Sequence, residues 1–137
     1  MLYGEYHHQI DAKGRVRIPP KFKDAIGAGM ITKGTNGCLF LFKREEFEAQ
    51  IQSKIEKSDM FDTKMARPLR QLMSSAFELE EDNQGRSLLP KALREFAQVD
   101  KDIVFIGVGN RAELWAREVY DKYMEDVDFD KACEGLN

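Results

Sequence analysis

Asp11-Ala12-Lys13-Gly14-Arg15 returns 71 residues later as Asp82-Asn83-Gln84-Gly85-Arg86. Both stretches read Asp-x-x-Gly-Arg, and each meets a proline four residues after its arginine, Pro19 and Pro90. Further on the correspondence resumes at a shift of 73, which lays Leu41-Phe42-Lys43-Arg44-Glu45 on Leu114-Trp115-Ala116-Arg117-Glu118 and Phe47 on Tyr120. Self-similarity of this kind marks one structural unit used twice, here about 43 residues long. The reading divides the chain into a first copy over residues 5–47, a helical connector over 48–75, a second copy over 76–120, and a helix end with an acidic tail over 121–137.

A single copy would bury too little apolar surface to be stable alone, so the two are expected to share a core. With 42% apolar and 33% charged residues in 137, the chain is globular in composition. Its formal charge of −3 argues at first against a nucleic-acid partner. The distribution of charge changes that reading. From Asp121 onward six acids (Asp121, Glu125, Asp126, Asp128, Asp130, Glu134) face two lysines, so residues 1–120 sum to +1. Around the first motif Lys13, Arg15, Arg17, Lys21 and Lys23 stand against Asp11 and Asp24, a locally basic surface.

Cys38 and Cys133 are too few for a disulfide framework or a zinc site. No apolar run approaches the roughly 20 residues of a membrane span, and Met1-Leu2-Tyr3-Gly4-Glu5 lacks the pattern of a signal peptide. A cytosolic protein without a membrane partner is expected. His7 and His8 adjoin on an expected strand and so point to opposite faces, which rules out a simple two-ligand metal site. With no Gly-rich phosphate loop, nucleophile motif or metalloprotease spacing, neither a cofactor nor enzymatic activity is expected.

Residues 6–10 pattern as a strand, and Val16 and Ile18 share one face of the next while Arg15 and Arg17 share the other. Between them Asp and Gly suit a tight turn, so the two strands are expected to form a hairpin. A short helix with Phe22 and Ile26 inward follows, ended by Gly27. Strands over 30–33 and 38–42 flank an Asn36-Gly37 turn. Phe47, Ile51 and Ile55 mark one stripe of a helix ending near Ser58, and Met65, Leu69, Leu72, Met73 and Ala76 belong to a second. Pro68 should start or kink that second helix. The second copy repeats the pattern: strand, motif, short helix over 91–96, strands over 103–108 and 113–115, and a final helix before a solvated, partly disordered tail.

Turn geometry accounts for Asp and Gly but not for an arginine at the same outward position in both copies. A carboxylate four residues before an arginine, across a tight turn, can hold the guanidinium in one direction. Its fixed donors then match two acceptors at once, phosphate oxygens or the O6/N7 edge of guanine. Arg15 and Arg86 are therefore read as major-groove readers on a double-stranded DNA partner, with Lys13 as a phosphate contact. Arg17 reads equally as a solvated strand residue.

On these motifs, together with Gly4-Glu5-Tyr6, Cys38-Leu39-Phe40, Ile106-Gly107-Val108-Gly109-Asn110-Arg111 and Glu113-Leu114-Trp115, nearly the whole chain resembles the MraZ family of bacterial transcription regulators. The resemblance implies an α+β fold. Two AbrB-like swapped-hairpin β modules would pair as an intramolecular pseudo-dimeric β-barrel, with connecting and C-terminal helices. It also implies a homo-oligomeric ring, associated with the nucleoid, that binds G-rich tandem repeats upstream of the division and cell-wall gene cluster. Carried onto this sequence, Arg15 and Arg86 read DNA, with Lys13 and its counterpart Gln84 beside them. Asp11 and Asp82 orient the arginines, and Gly14 and Gly85 shape the turns. Since Lys13 becomes Gln84 and Arg17 becomes Leu88, the second copy is less basic. The alternative function is an AbrB-like protein-interaction module of the antitoxin type.

Overall fold

The structure is a computed structural model that describes residues 1–27, 29–125 and 128–136. Asp126 of the expected acidic tail lies outside the described residues. Among the described residues eight strands run in chain order as β1 (Glu5–Gln9), β2 (Arg15–Val16), β3 (Gly29–Lys33), β4 (Leu39–Lys43), β5 (Phe77–Glu78), β6 (Ser87–Leu88), β7 (Asp102–Gly107) and β8 (Ala112–Ala116). The helices are α1 (Pro20–Ile26), α2 (Arg44–Lys57), α3 (Thr63–Ser74), α4 (Lys91–Phe96), α5 (Arg117–Glu125) and α6 (Phe129–Cys133), followed by a 3₁₀ turn (Glu134–Leu136). Six strands form one antiparallel sheet in the order β1-β7-β8-β4-β3-β5, while β2 and β6 pair apart from it.

The two copies build this sheet by exchange. β1 pairs with β7 of the second copy, and β5 of the second copy pairs with β3 of the first. At the sheet centre β4 meets β8 with Phe40 opposite Glu113, residues that the shift of 73 interchanges. In the small sheet Arg15 faces Leu88 and Val16 faces Ser87. The shift of 71 carries the first of these pairs onto Arg86 and Arg17, the next step of the same ladder. A pseudo-twofold axis thus passes through both sheets.

That pairing corrects two expectations. β1 and β2 do not form a hairpin with each other. The turn between them closes, with Asp11 N donating to Arg15 O at 3.0 Å and Gly14 N to Asp11 O at 3.0 Å. The five residues of β1 then find a longer ladder on apolar β7 than two-residue β2 could give. The sheet is also open, not closed into a barrel. Its edges are β1 and β5, and β5, with two exposed residues, is too short to reach across.

Both copies fill the principal core. Phe22 and Ile26 of α1 pack with Ile31, Leu39 and Leu41, and Leu89 and Leu93 of the second copy join Phe105 and Leu114 in the same cluster. Burying each such side chain contributes about 1.5–3 kcal/mol. Pro at the first turn of α1 loses no helical bond. Gly27, at φ 58°, closes that helix by donating to Lys23 O at 2.8 Å.

The connector is more exposed than its stripes suggest. Phe47 and Ile51 are buried against Phe42, but Ile55 is exposed, as are Met65 and Met73. α3 neither starts at Pro68 nor stops there. It begins at Thr63 behind Asp62, whose side chain accepts from Lys64 N at 3.0 Å, and runs through the proline. The carbonyl left without a donor is that of exposed Lys64, where water can serve it. Thr32, fully buried in β3, anchors this helix by donating to Leu72 O at 2.9 Å. The described part of the tail is helical, with Asp128 capping α6 through Lys131 N at 3.3 Å. Among the described residues no helix is long and apolar enough to cross a membrane.

Candidate functional site

The two Asp-x-x-Gly-Arg turns meet where β2 pairs with β6. In the first, Asp11 Oδ1 accepts from Lys13 N at 2.9 Å and Arg15 N at 2.8 Å, and Oδ2 accepts from Arg15 Nε at 2.8 Å. The second repeats this atom for atom. Asp82 Oδ1 accepts from Gln84 N at 2.8 Å and Arg86 N at 3.0 Å, and Oδ2 accepts from Arg86 Nε at 3.0 Å. One carboxylate therefore shapes the turn with one oxygen and holds the guanidinium with the other. Gly14 (φ 79°) and Gly85 (φ 75°) take the left-handed conformation each turn requires.

The turns are also joined to each other. Arg15 Nη1 lies 3.9 Å from Asp82 Oδ2, and Arg86 Nη1 lies 3.8 Å from Asp11 Oδ2. Four alternating charges thus close a ring across the pseudo-twofold axis. Its members are partly exposed, the arginine side chains at 27% and 22%, so both guanidinium groups can be reached from solvent. Both carboxyl groups are held below the ordinary carboxylate range. In each the largest cause is the backbone N–H of the motif's own arginine, partly opposed by desolvation.

Lys13 and Gln84 are exposed at the turn tips, and among the described residues their side chains make no hydrogen bond or ion pair. Three further basic residues brace the turns. Arg17 Nη1 donates to Gln84 O at 2.5 Å, tying the first copy's strand to the second copy's turn. Arg94 of α4 donates from Nε to Leu89 O at 3.0 Å and lies so close to Gly14 that a Cβ there would fall 2.7 Å from Cζ. Lys23 of α1 pairs with Glu81 and sits beside Gly85. Sequence reasoning placed Lys23 in the basic surface but missed Arg94. The signal was present, since a shift of 71 carries Lys23 onto Arg94.

The remaining candidates resolve simply. His7 and His8 point to opposite faces of β1, the first bonded to Glu5 at 2.7 Å and the second edge-on to Phe105. Among the described residues no group of three or more His, Cys, Asp or Glu could hold a metal ion. Cys38 is buried, and that burial pushes its thiol up to about 12.

Fold and site together define a two-copy α+β chain that joins two carboxylate-held arginines on one surface, with each copy supplying a strand to the other. The chain belongs to the MraZ family, whose model, described as "MraZ protein, putative antitoxin-like", matches residues 1–69 and 72–134. Among similar proteins is the "Transcriptional regulator MraZ" of Thermoanaerobacter sp. (strain X514), 41% identical over 140 residues, which are 100% of this chain and 97% of that protein. The protein of that name from Carboxydothermus hydrogenoformans is 46% identical over 125 residues, 90% of this chain and 86% of its own. A third, from Acetivibrio thermocellus, is 41% identical over 127 residues, 92% of this chain and 88% of its own.

Proposed function

We propose that the chain is a DNA-binding transcriptional regulator whose Arg15 and Arg86 read guanine in G-rich tandem repeats upstream of division and cell-wall genes. In this reading the two copies are a swapped-hairpin pair, and the chains assemble into a nucleoid-associated ring. The observation that carries it is the way the carboxylates hold the arginines. Each Nε is engaged by its own aspartate, whereas the Nη1 groups stand 3.8 and 3.9 Å from the opposite carboxylates, too far for a hydrogen bond. The Nη1–Nη2 end of each fork is therefore aimed yet unspent, the arrangement a bidentate contact to O6 and N7 needs.

The ring of charges is neutral overall, so it adds little long-range attraction for phosphate and favours selectivity over affinity. Exposed Lys13 supplies a phosphate contact, and Gln84 offers an amide at the equivalent place. With few cationic contacts one site binds weakly, and a ring engaging successive repeats gains affinity through effective concentration.

The test is fluorescence anisotropy on a G-rich repeat duplex against a scrambled one. Arg15→Ala and Arg86→Ala should each cost roughly 1–3 kcal/mol and relax base preference. Arg→Lys, which keeps the charge but loses the fork, should do nearly the same. A folded double variant that still prefers the G-rich duplex would overturn the proposal. A second reading, a protein-interaction module of the antitoxin type, is favoured by an apolar groove of about 500 Å³ lined by Phe40, Met65, Leu69, Leu72 and Phe96. Co-purification of a stoichiometric protein lost on Leu69→Asp, with DNA binding absent, would select it.

A further inference from the structure

The arginine pair has two flanks, and they differ. On one lies an open cleft of about 460 Å³ lined by His7, His8 and Gln9 of β1 and by Arg17, with Asp11, Arg15 and Arg86 completing it. The shift of 71 that superimposes the motifs carries this flank onto Glu78, Leu79 and Glu80, and places Leu88 where Arg17 stands. Leu88 is 58% exposed, and Glu78 and Glu80 are exposed too. One flank thus offers a cation with histidine and glutamine side chains, and its counterpart offers Glu80, a Glu78 paired with Arg44 Nη2 at 2.8 Å, and an apolar side chain.

Arg17 is exposed and makes no ion pair among the described residues. Its Nη1 bond to Gln84 O fixes the head of the side chain and leaves its other N–H groups unused. The acids on this flank are engaged. Asp11 is held by Arg15, Glu5 accepts from Tyr120 Oη and bonds His7, and Asp102 accepts from Gln9 Nε2 at 3.0 Å. A phosphodiester entering here meets an oriented guanidinium, whereas on the opposite flank it meets the carboxylate of exposed Glu80, a like charge that costs binding energy.

We propose that the β1-side cleft is a phosphodiester-binding site with Arg17 as its cation, and that it makes the pseudo-symmetric chain hold a duplex in one direction. The proposal rests on guanine reading by Arg15 and Arg86, which bring the backbone beside this cleft. Phosphate contacts of this kind position a duplex and leave base choice to the arginine pair.

The experiment replaces phosphates of the G-rich duplex one at a time by neutral methylphosphonates and measures binding to the unaltered chain and to Arg17→Leu, which copies the residue of the second repeat. One substitution, on one side of the guanine contact, should weaken the unaltered chain several-fold and have no effect on Arg17→Leu. The slope of log K against log salt should become shallower by about 0.9 in the variant, so that its affinity falls roughly three- to fourfold less between 50 and 200 mM salt. Leu88→Arg combined with Glu80→Gln should create a second sensitive phosphate at the symmetric place. If Arg17 merely braced the Gln84 turn, Arg17→Leu would weaken binding with the salt slope and the methylphosphonate effect intact. That result, or equal sensitivity on both sides in the unaltered chain, overturns the proposal. Failure of the unaltered chain to prefer a G-rich duplex would instead defeat guanine reading itself.

Discussion

Gly14→Ala and Gly85→Ala make one change at equivalent turn positions, and the structure assigns them unequal costs. Both glycines are left-handed, at φ 79° and 75°. A side chain held there costs about 1–2 kcal/mol. At Gly85 the added methyl would sit 3.6 Å from Lys23 Nζ and 3.7 Å from Arg17 Nη1, ordinary van der Waals contact, so the cost stops at the backbone. At Gly14 it would fall 2.7 Å from Arg94 Cζ and 2.9 Å from Nη1. Arg94 must swing away and give up its bond to Leu89 O. That loss adds about 0.5–1.5 kcal/mol.

Gly14→Ala should therefore be the more destabilising of the two by about 1 kcal/mol. Urea denaturation checks this, as a lower midpoint at unchanged m. Protein concentration must be fixed, since self-association shifts apparent stability. In an Arg94→Ala background the difference should vanish, because the guanidinium that the methyl displaces is already gone. Equal midpoints in the original background, or a difference that survives Arg94→Ala, would refute the account of Gly14 as a close-approach site.

Three further outcomes are expected. Thr32→Val removes the buried hydroxyl that donates to Leu72 O and should cost about 1–2 kcal/mol, with hydrogen exchange rising first in α3, read by mass spectrometry of its peptides. Native protein treated with iodoacetamide at pH 8 should be modified at Cys133 and spared at Cys38, whose thiol, pushed up to about 12 by burial, supplies almost no thiolate. Asp11 and Asp82 have folded pKa values below their unfolded ones, so the stability they contribute is fully present above a pH of about 3.9 and is lost as pH falls through the lower folded values. Acid titration followed by Trp115 fluorescence should show that loss, and an Asp11→Asn/Asp82→Asn double variant should flatten it.

What was legible in the sequence was local. Asp11 and Gly14 announce a turn because a carboxylate can cap backbone N–H groups and glycine tolerates positive φ. Phe22 and Ile26 announce an inward helical face by their spacing, and Asn36-Gly37 marks the β3–β4 turn, where Asn36 takes φ 58°. What was illegible was the choice of partner. The Asp11 turn closes the same way whether β1 pairs with β2 or with a distant strand, so nothing in residues 5–16 says that β1 belongs to β7. Barrel closure depended on the length of β5, and the strand expected ahead of the second motif forms over only two residues, Phe77–Glu78. Arg94 escaped notice because its role comes from a backbone approach between copies, which no spacing within one copy encodes.

The doubling itself bears on what kind of site the chain can read. Two identical modules related by a true twofold axis would present identical flanks and suit palindromic half-sites. Carrying both copies in one chain frees the flanks to diverge while the shared parts stay fixed. The fixed parts here are the aspartates, glycines and arginines of the turns and the ladder between β2 and β6. The divergent ones are Lys13 against Gln84, Arg17 against Leu88, and His7-His8-Gln9 against Glu78-Leu79-Glu80. Under the proposed guanine reading, a symmetric head with asymmetric flanks would recognise the same guanine pair in either direction but gain backbone contacts in one. Tandem repeats all run one way, so successive chains on them would each collect the same contact, whereas inverted repeats would deny it to alternate chains. Inverting every second repeat at constant spacing should therefore weaken assembly binding in the unaltered chain and leave Arg17→Leu indifferent to orientation.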